Sequence, residues 1–211
     1  MEKASGEYLI LDYSDRTDVT GITVMLDPSW FDDSGIGLSI QAGTIGGLVI
    51  SKEMLSEIRD LEEGGSIALT LKKGRVNLAR TTNNANLDYY SFNNPMLLSI
   101  PYDLPVDQNY VVMYQNKGMQ EPKHLIPRSW CENGMEYGFI YSAGEYGIQD
   151  MGKTVFNDTD GKWMDDASNY MAARMVITGE EQGIFMPEKH ITRAEFVSMI
   201  MGMFDIQLQG L

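Results

Sequence analysis

Cys131 is the one thiol in this 211-residue sequence, and His124 and His190 are its two imidazoles. A cysteine nucleophile needs a base to raise its thiolate. Neither histidine stands in a spacing that pairs it with Cys131. A lone thiol closes no internal disulfide, so Cys131 is expected to be buried or idle. The 30 carboxylates supply acids in plenty, but glycoside hydrolysis needs two at a set separation, and no pair is marked by its context. No glycine-rich phosphate loop, zinc-ligand spacing or nucleophile motif occurs. No catalytic residue is assigned, no cofactor is called for, and the chemistry expected of the chain is binding.

Asn157-Asp158-Thr159-Asp160-Gly161 has the composition of a calcium loop. Placing Gly161 at the sixth loop position puts Phe156 at the first and Ala167 at the twelfth, where carboxylates are required. Both essential ligands fail, so the segment is expected to be a solvated turn and not a metal site. Thr192-Arg193-Ala194-Glu195 carries a different signal. It is a capping box, in which the Thr192 hydroxyl accepts from the Glu195 amide and the Glu195 carboxylate reaches back to the Thr192 amide. Thr192 and Glu195 are therefore structural caps.

The elements that must position these groups follow from composition and period. Acidic residues outnumber basic ones by 30 to 16, for a net charge of −14 and a pI near 4.4. A field of that sign repels nucleic acid and anionic membranes. No apolar run is long enough to span a bilayer. Met1 to Gly6 lacks the basic start and apolar stretch of a signal peptide, so an export signal, if used, is expected to lie outside this sequence.

Residues 7 to about 150 alternate with period two. Strands are expected at Glu7–Tyr13, Gly21–Leu26, Ile36–Gln41, Leu48–Ile50, Ser66–Leu71, Leu87–Phe92, Met96–Ile100, Tyr110–Tyr114 and Tyr137–Tyr141. One helix is expected over Glu53–Glu63, capped by Ser51 and ended by Gly64-Gly65. Short strands and frequent turns imply a sandwich-like sheet stack with one helix. A strand, glycine turn and strand near 22–30 recur near 48–52, which leaves two subdomains open. The tyrosines of this region, Tyr89, Tyr90, Tyr102, Tyr110, Tyr114, Tyr137, Tyr141 and Tyr146, are expected in cores and cross-strand pairs, with a carbohydrate platform as the alternative.

Near Val155 the period changes to 3.6. A first helix is expected from Asp165 or Asp166 to about 178, with Ala167, Tyr170, Met171, Arg174 and Met175 on one face and Gly179 as its cap. A second is expected near 193–204, with Ala194, Val197, Ile200, Met201 and Phe204 as an apolar stripe. A helix–loop–helix of this size buries too little surface to stand alone. Met171, Met175, Val197, Ile200, Met201 and Phe204 are therefore expected to pack on the β-rich part, or on neighbouring chains as a homotrimer. The chain is α+β, divided at 1–150 and 151–211.

Val155-Phe156-Asn157-Asp158, Trp163, Ala172 to Gly179, Gly183-Ile184-Phe185-Met186-Pro187 and Ile191-Thr192-Arg193-Ala194-Glu195-Phe196 together resemble the S-layer homology family. Order and spacing match over residues 155–204, and a single repeat is visible. Upstream, Leu48–Leu71 and Met96–Tyr102 resemble the β-rich modules that precede such repeats in surface proteins of Gram-positive anaerobes. The resemblance implies a secreted, non-catalytic protein of the cell wall or S-layer. It also implies attachment to an anionic secondary cell-wall polysaccharide, often pyruvylated, in grooves of a three-pronged bundle.

In that setting Arg193, Trp163 and Gly179 become the expected polysaccharide-binding residues. Arg193 stands in a first helical turn, where amides and the helix dipole favour an anion, and a guanidinium holds a carboxylate through two parallel hydrogen bonds. Its alternative is an ion pair with Glu180, Glu181 or Glu188. Trp163 offers a flat face to a sugar ring, or else packs on the first helix. Gly179 would let backbone approach the ligand. A free-standing extracellular interaction or carbohydrate-binding module is the alternative to wall attachment.

Overall fold

The computed structural model describes residues 2–5, 7–27, 35–61, 65–88, 90–103, 107–118, 121–180 and 183–206. The first strands are β1 (Glu2–Ser5), β2 (Tyr8–Tyr13), β3 (Ile22–Leu26), β4 (Gly37–Ala42) and β5 (Gly46–Ile50). Helix α1 (Lys52–Arg59) follows, then β6 (Ile67–Lys72), β7 (Arg75–Arg80), β8 (Met96–Pro101), β9 (Val111–Asn116) and β10 (His124–Ile126). Strands β11 (Ser129–Glu132), β12 (Met135–Ile140) and β13 (Gly144–Asp150) precede helices α2 (Asp165–Ala173) and α3 (Arg193–Met203).

Two sheets result, ordered β1-β2-β4-β5-β8-β12-β11 and β10-β9-β13-β7-β6-β3. Neighbours are antiparallel except β2 and β4, which run parallel with Leu11 beside Ile40. Alternation sets the inward faces. In β6, Ile67, Leu69 and Leu71 are buried while Ala68 and Thr70 are not. Ile40, Leu48 and Leu98 from one sheet and Leu69, Leu78 and Met113 from the other are fully buried in one continuous core. Each such side chain contributes roughly 1.5–3 kcal/mol of transfer free energy. The chain is thus α+β, with two sheets and three helices among the described residues.

Asn133 and Gly134 lie at φ 52° and 78° between β11 and β12, where Glu132 faces Met135. That is the primed two-residue hairpin turn that matches strand twist. Lys73-Gly74 turns β6 into β7, with Lys72 facing Arg75. Gly74 has φ +67°, and a Cβ there would collide with the Tyr146 carbonyl oxygen. The absence of that Cβ lets β13 approach, and the Tyr146 amide donates to the Gly74 oxygen at 2.6 Å.

Helix α1 begins where Ser51 accepts from the Met54 amide at 3.2 Å, and it buries Met54, Leu55 and Ile58 against the sheets. It ends at Arg59, earlier than the sequence period implies. Gly64, expected to end it, lies outside the described residues. Leu87–Phe92 is not a strand in its described residues, and Tyr89 is outside them. The Asn77 amide donates to Asn86 at 3.0 Å and to Asp88 at 2.8 Å, and the Tyr90 amide turns back to Leu87. Asn and Asp side chains that offer local hydrogen bonds of this kind compete with a sheet ladder. Strands β1, β7, β10, β11 and β13 were not anticipated from the period.

The first C-terminal helix is shorter than expected. Arg174 is its C-cap, and Met175 takes the left-handed conformation at φ 55°. The Val176 amide donates to the Met171 oxygen at 3.1 Å and the Met175 amide to the Ala172 oxygen at 2.9 Å. This is the Schellman closure, and it leaves Gly179 outside the helix with no capping role. The buried residues of α2 are Ser168, Asn169 and Ala173, joined by Arg174. Ala167 and Met175, expected on that face, are exposed.

Candidate functional site

Residues 155–191 lay two loops beside one another. The Asn157 amide donates to the Gly183 oxygen at 2.8 Å. The Asp158 carboxylate accepts from the Phe185 amide at 2.9 Å and the Met186 amide at 2.6 Å. The backbone bond from Phe185 holds Asp158 below the usual carboxylate range. Phe156, buried, meets Phe185 with ring centroids 5.4 Å apart. Asp158 is thus a loop staple. Among the described residues no group of three or more His, Cys, Asp or Glu is arranged to hold a metal.

At the end of the second loop, Thr192 Oγ1 accepts from the Glu195 amide at 3.2 Å, and Glu195 Oε2 accepts from the Thr192 amide at 2.6 Å. That second bond holds the Glu195 carboxyl below its ordinary value. The capping box positions Arg193 as the first residue of α3. Arg193 is exposed, and its side chain makes no hydrogen bond or ion pair among the described residues. Glu180 pairs with Lys189 and not with Arg193, and Glu181 lies outside the described residues. Trp163 is 90% exposed and does not pack on α2. Gly179 is half-buried in the loop after α2. No hydrogen bond, ion pair or ring contact joins Trp163, Gly179 and Arg193 among the described residues.

The packing of the two helices differs. Helix α2 docks on the strands. Helix α3 has no buried residue, although Gly202 crosses Val176 closely and His124 Nε2 meets Asp205 Oδ2 at 2.9 Å. Val197 is 53% and Phe204 47% exposed, and Ile200 and Met201 are only partly buried. The stripe of α3 is therefore only partly covered, with Phe204 5.7 Å from the Arg128 guanidinium and Val197 left exposed, so packing within the chain is incomplete.

Arg174 lies on the face that the period picks out, but the period gives it no role. It is 3% exposed. Its Nη1 donates to the oxygens of Asn109 at 2.9 Å and Tyr170 at 3.3 Å, and Nη2 to those of Ser129 at 3.0 Å and Val111 at 3.3 Å. The guanidinium lies 3.5 Å over the Tyr170 ring. A basic residue ending a helix ordinarily reads as a solvated partner of the dipole. The hints otherwise are its place on the face of Tyr170 and Met171, and Ala172-Ala173 before it, small enough to let a strand come near.

Beside Arg174, the Cys131 thiol donates to Glu136 Oε2 at 2.6 Å. Burial, then the carboxylate, push that thiol up to about 12. It stays protonated and unreactive at neutral pH. Glu136 is fully buried, and burial raises its carboxyl.

Residues 155–197 match the family model of the S-layer homology domain. No curated protein and no solved structure matches the chain significantly. Over these residues the chain is therefore similar to a family of cell-surface and cell-wall anchoring modules. No helix among the described residues is long and apolar enough to cross a membrane.

Proposed function

We propose that this is a non-catalytic, secreted bacterial surface protein, of Gram-positive type. On this reading it attaches to an anionic, pyruvylated secondary cell-wall polysaccharide through residues 151–211. Residues 1–150 form a sandwich-like module that the single helix–loop–helix repeat anchors to the wall. Arg193 is the anion contact, Trp163 the sugar platform and Gly179 the point of close backbone approach.

The observation that carries this reading is Arg193. Within the matched segment it is an exposed guanidinium with no partner among the described residues, at a helix N-terminus that Thr192 and Glu195 already cap. Its donors are free for a ligand carboxylate, and the helix dipole adds to them. The exposed apolar residues of α3, Phe196, Val197 and Phe204, favour assembly of the repeats across chains as a homotrimer.

The test is titration of the protein with purified wall polysaccharide, with and without its pyruvate groups. Arg193→Ala should lose roughly 2–5 kcal/mol of binding, as expected when one partner of a desolvated charged contact is removed. Arg193→Lys should rescue poorly, because an ammonium lacks the bidentate fork. Equal binding by Arg193→Ala and the parent would sink the assigned site. Sedimentation over a range of concentrations reads the assembly, and a strict monomer throughout eliminates the trimer.

A further inference from the structure

A second concave site lies at the other end of α3. The ends of β9, β10, β12 and β13, the loop before β8 and residues 204–206 enclose a cleft of about 680 Å³. Phe92, Phe139, Tyr141 and Phe204 give it aromatic walls. Its polar groups converge at one place. Gln115 Nε2 donates to Ser142 Oγ at 2.7 Å and to Tyr146 Oη at 3.0 Å, and Tyr146 Oη donates to the Ser142 carbonyl oxygen at 2.7 Å. Gln115 is 5% and Tyr146 7% exposed, so this network is built into the wall and not solvated surface. The fixed charges at the mouth are Lys117 against Glu121 and Asp205, and His124 meets Asp205.

Several aromatic side chains beside convergent polar groups suit a small molecule, and the volume is in the usual range. The lining narrows the ligand class. Aromatic faces take flat apolar ligand faces. Hydroxyls and a carboxamide act as both donors and acceptors, so they match ligand hydroxyls. A mouth with more carboxylates than cations, on a chain of net charge −14, disfavours an anionic ligand. A pyranose ring, with an apolar C–H face and a rim of hydroxyls, satisfies all three requirements.

We propose that this cleft binds a short uncharged oligosaccharide. It goes beyond the wall-anchoring reading and does not depend on it. Arg193 and Phe204 lie at opposite ends of α3, and 11 helical residues span roughly 16 Å. One ligand unit therefore does not occupy both places. The cleft also exists only where the strands and the end of α3 meet, since Phe204 and Asp205 come from the helix side and the other walls from the sheets.

The experiment is a glycan array carrying uncharged and acidic oligosaccharides, probed with the whole chain and followed by calorimetry on the best uncharged glycan bound. Two variants alter the cleft: Tyr141→Ala removes an aromatic wall, and Ser91→Trp fills the mouth from an exposed position. Circular dichroism checks that each is folded. The expected result is binding of uncharged glycans, weakened about tenfold or more by each variant, as loss of a stacking face or of access predicts, and unchanged in Arg193→Ala. The proposal is overturned by binding of acidic glycans alone, by no glycan binding, by uncharged binding that survives either variant, or by its loss in Arg193→Ala.

Discussion

Arg174 Nη2 donates to the carbonyl oxygen of Ser129 at 3.0 Å, across 45 residues of chain. That contact, with those to Val111 and Asn109, fastens the end of α2 to the strands. Arg174→Met keeps the apolar stem and removes every donor. Buried carbonyls then lose their partners, and the cost should be about 3 kcal/mol. Urea denaturation measures it. Limited proteolysis should show cleavage after residue 150 appearing earlier in the variant. Parent-like values in both would mean that other contacts hold α2 in place.

Met175 occupies the left-handed position of the Schellman closure while 67% exposed. A side chain strains that conformation, and little packing is lost by removing it. Met175→Gly should stabilise the protein by about 0.5–1 kcal/mol after the entropy cost of glycine is counted. Thermal unfolding is the readout, and a lower midpoint would show that the Met175 side chain contributes more than its exposure implies.

Thr192 and Arg193 are adjacent and should separate cleanly. Thr192→Ala removes a cap and should cost about 1 kcal/mol of stability. Arg193→Ala, an exposed change outside the cap, should stay within about 0.5 kcal/mol. Chemical denaturation of the two variants side by side checks this. A large loss in Arg193→Ala would make it a structural residue.

Glu136 and the loop carboxylates should give opposite pH dependences. Burial raises the Glu136 carboxyl above 4.5, so the folded chain holds its proton more tightly than the unfolded one. Stability then falls as pH rises from the ordinary value toward the raised one. Asp158 and Glu195 are lowered by backbone hydrogen bonds. What they contribute is complete above 3.8 and 4.5, their ordinary values, and is lost on acidification. Glu136→Gln keeps the shape and an acceptor for Cys131, and it should abolish the falling limb and stabilise the chain at pH 7. Stability curves that run parallel from pH 4 to 8 would refute the assignment.

Period and turn chemistry carried much of the fold. Ile67, Leu69 and Leu71 announce β6 by strict alternation, and Ser51 and Thr192 announce helix starts, because these signals act between residues close in the chain. The Asn133-Gly134 turn was equally available as a hairpin signal and would have located β11 and the start of β12. Leu87–Phe92 misled because its Asn and Asp neighbours outcompete a ladder with side-chain bonds. Gly179 misled because a glycine is the usual left-handed cap, and here Met175 takes that place four residues earlier.

The amino-acid sequence by itself determined the α+β class, the change of character near Val155, the S-layer homology segment and the capping box that presents Arg193. Each is local, written in spacing within a few turns of chain. Only the tertiary structure decided that Arg174 is buried and bonded to Asn109, Val111 and Ser129, that the apolar stripe of α3 is only partly covered, and that Gln115, Tyr141, Ser142 and Phe204 share one cleft. Those outcomes depend on which strands become neighbours in the two sheets. No local period encodes that, because it is settled by how the whole core closes.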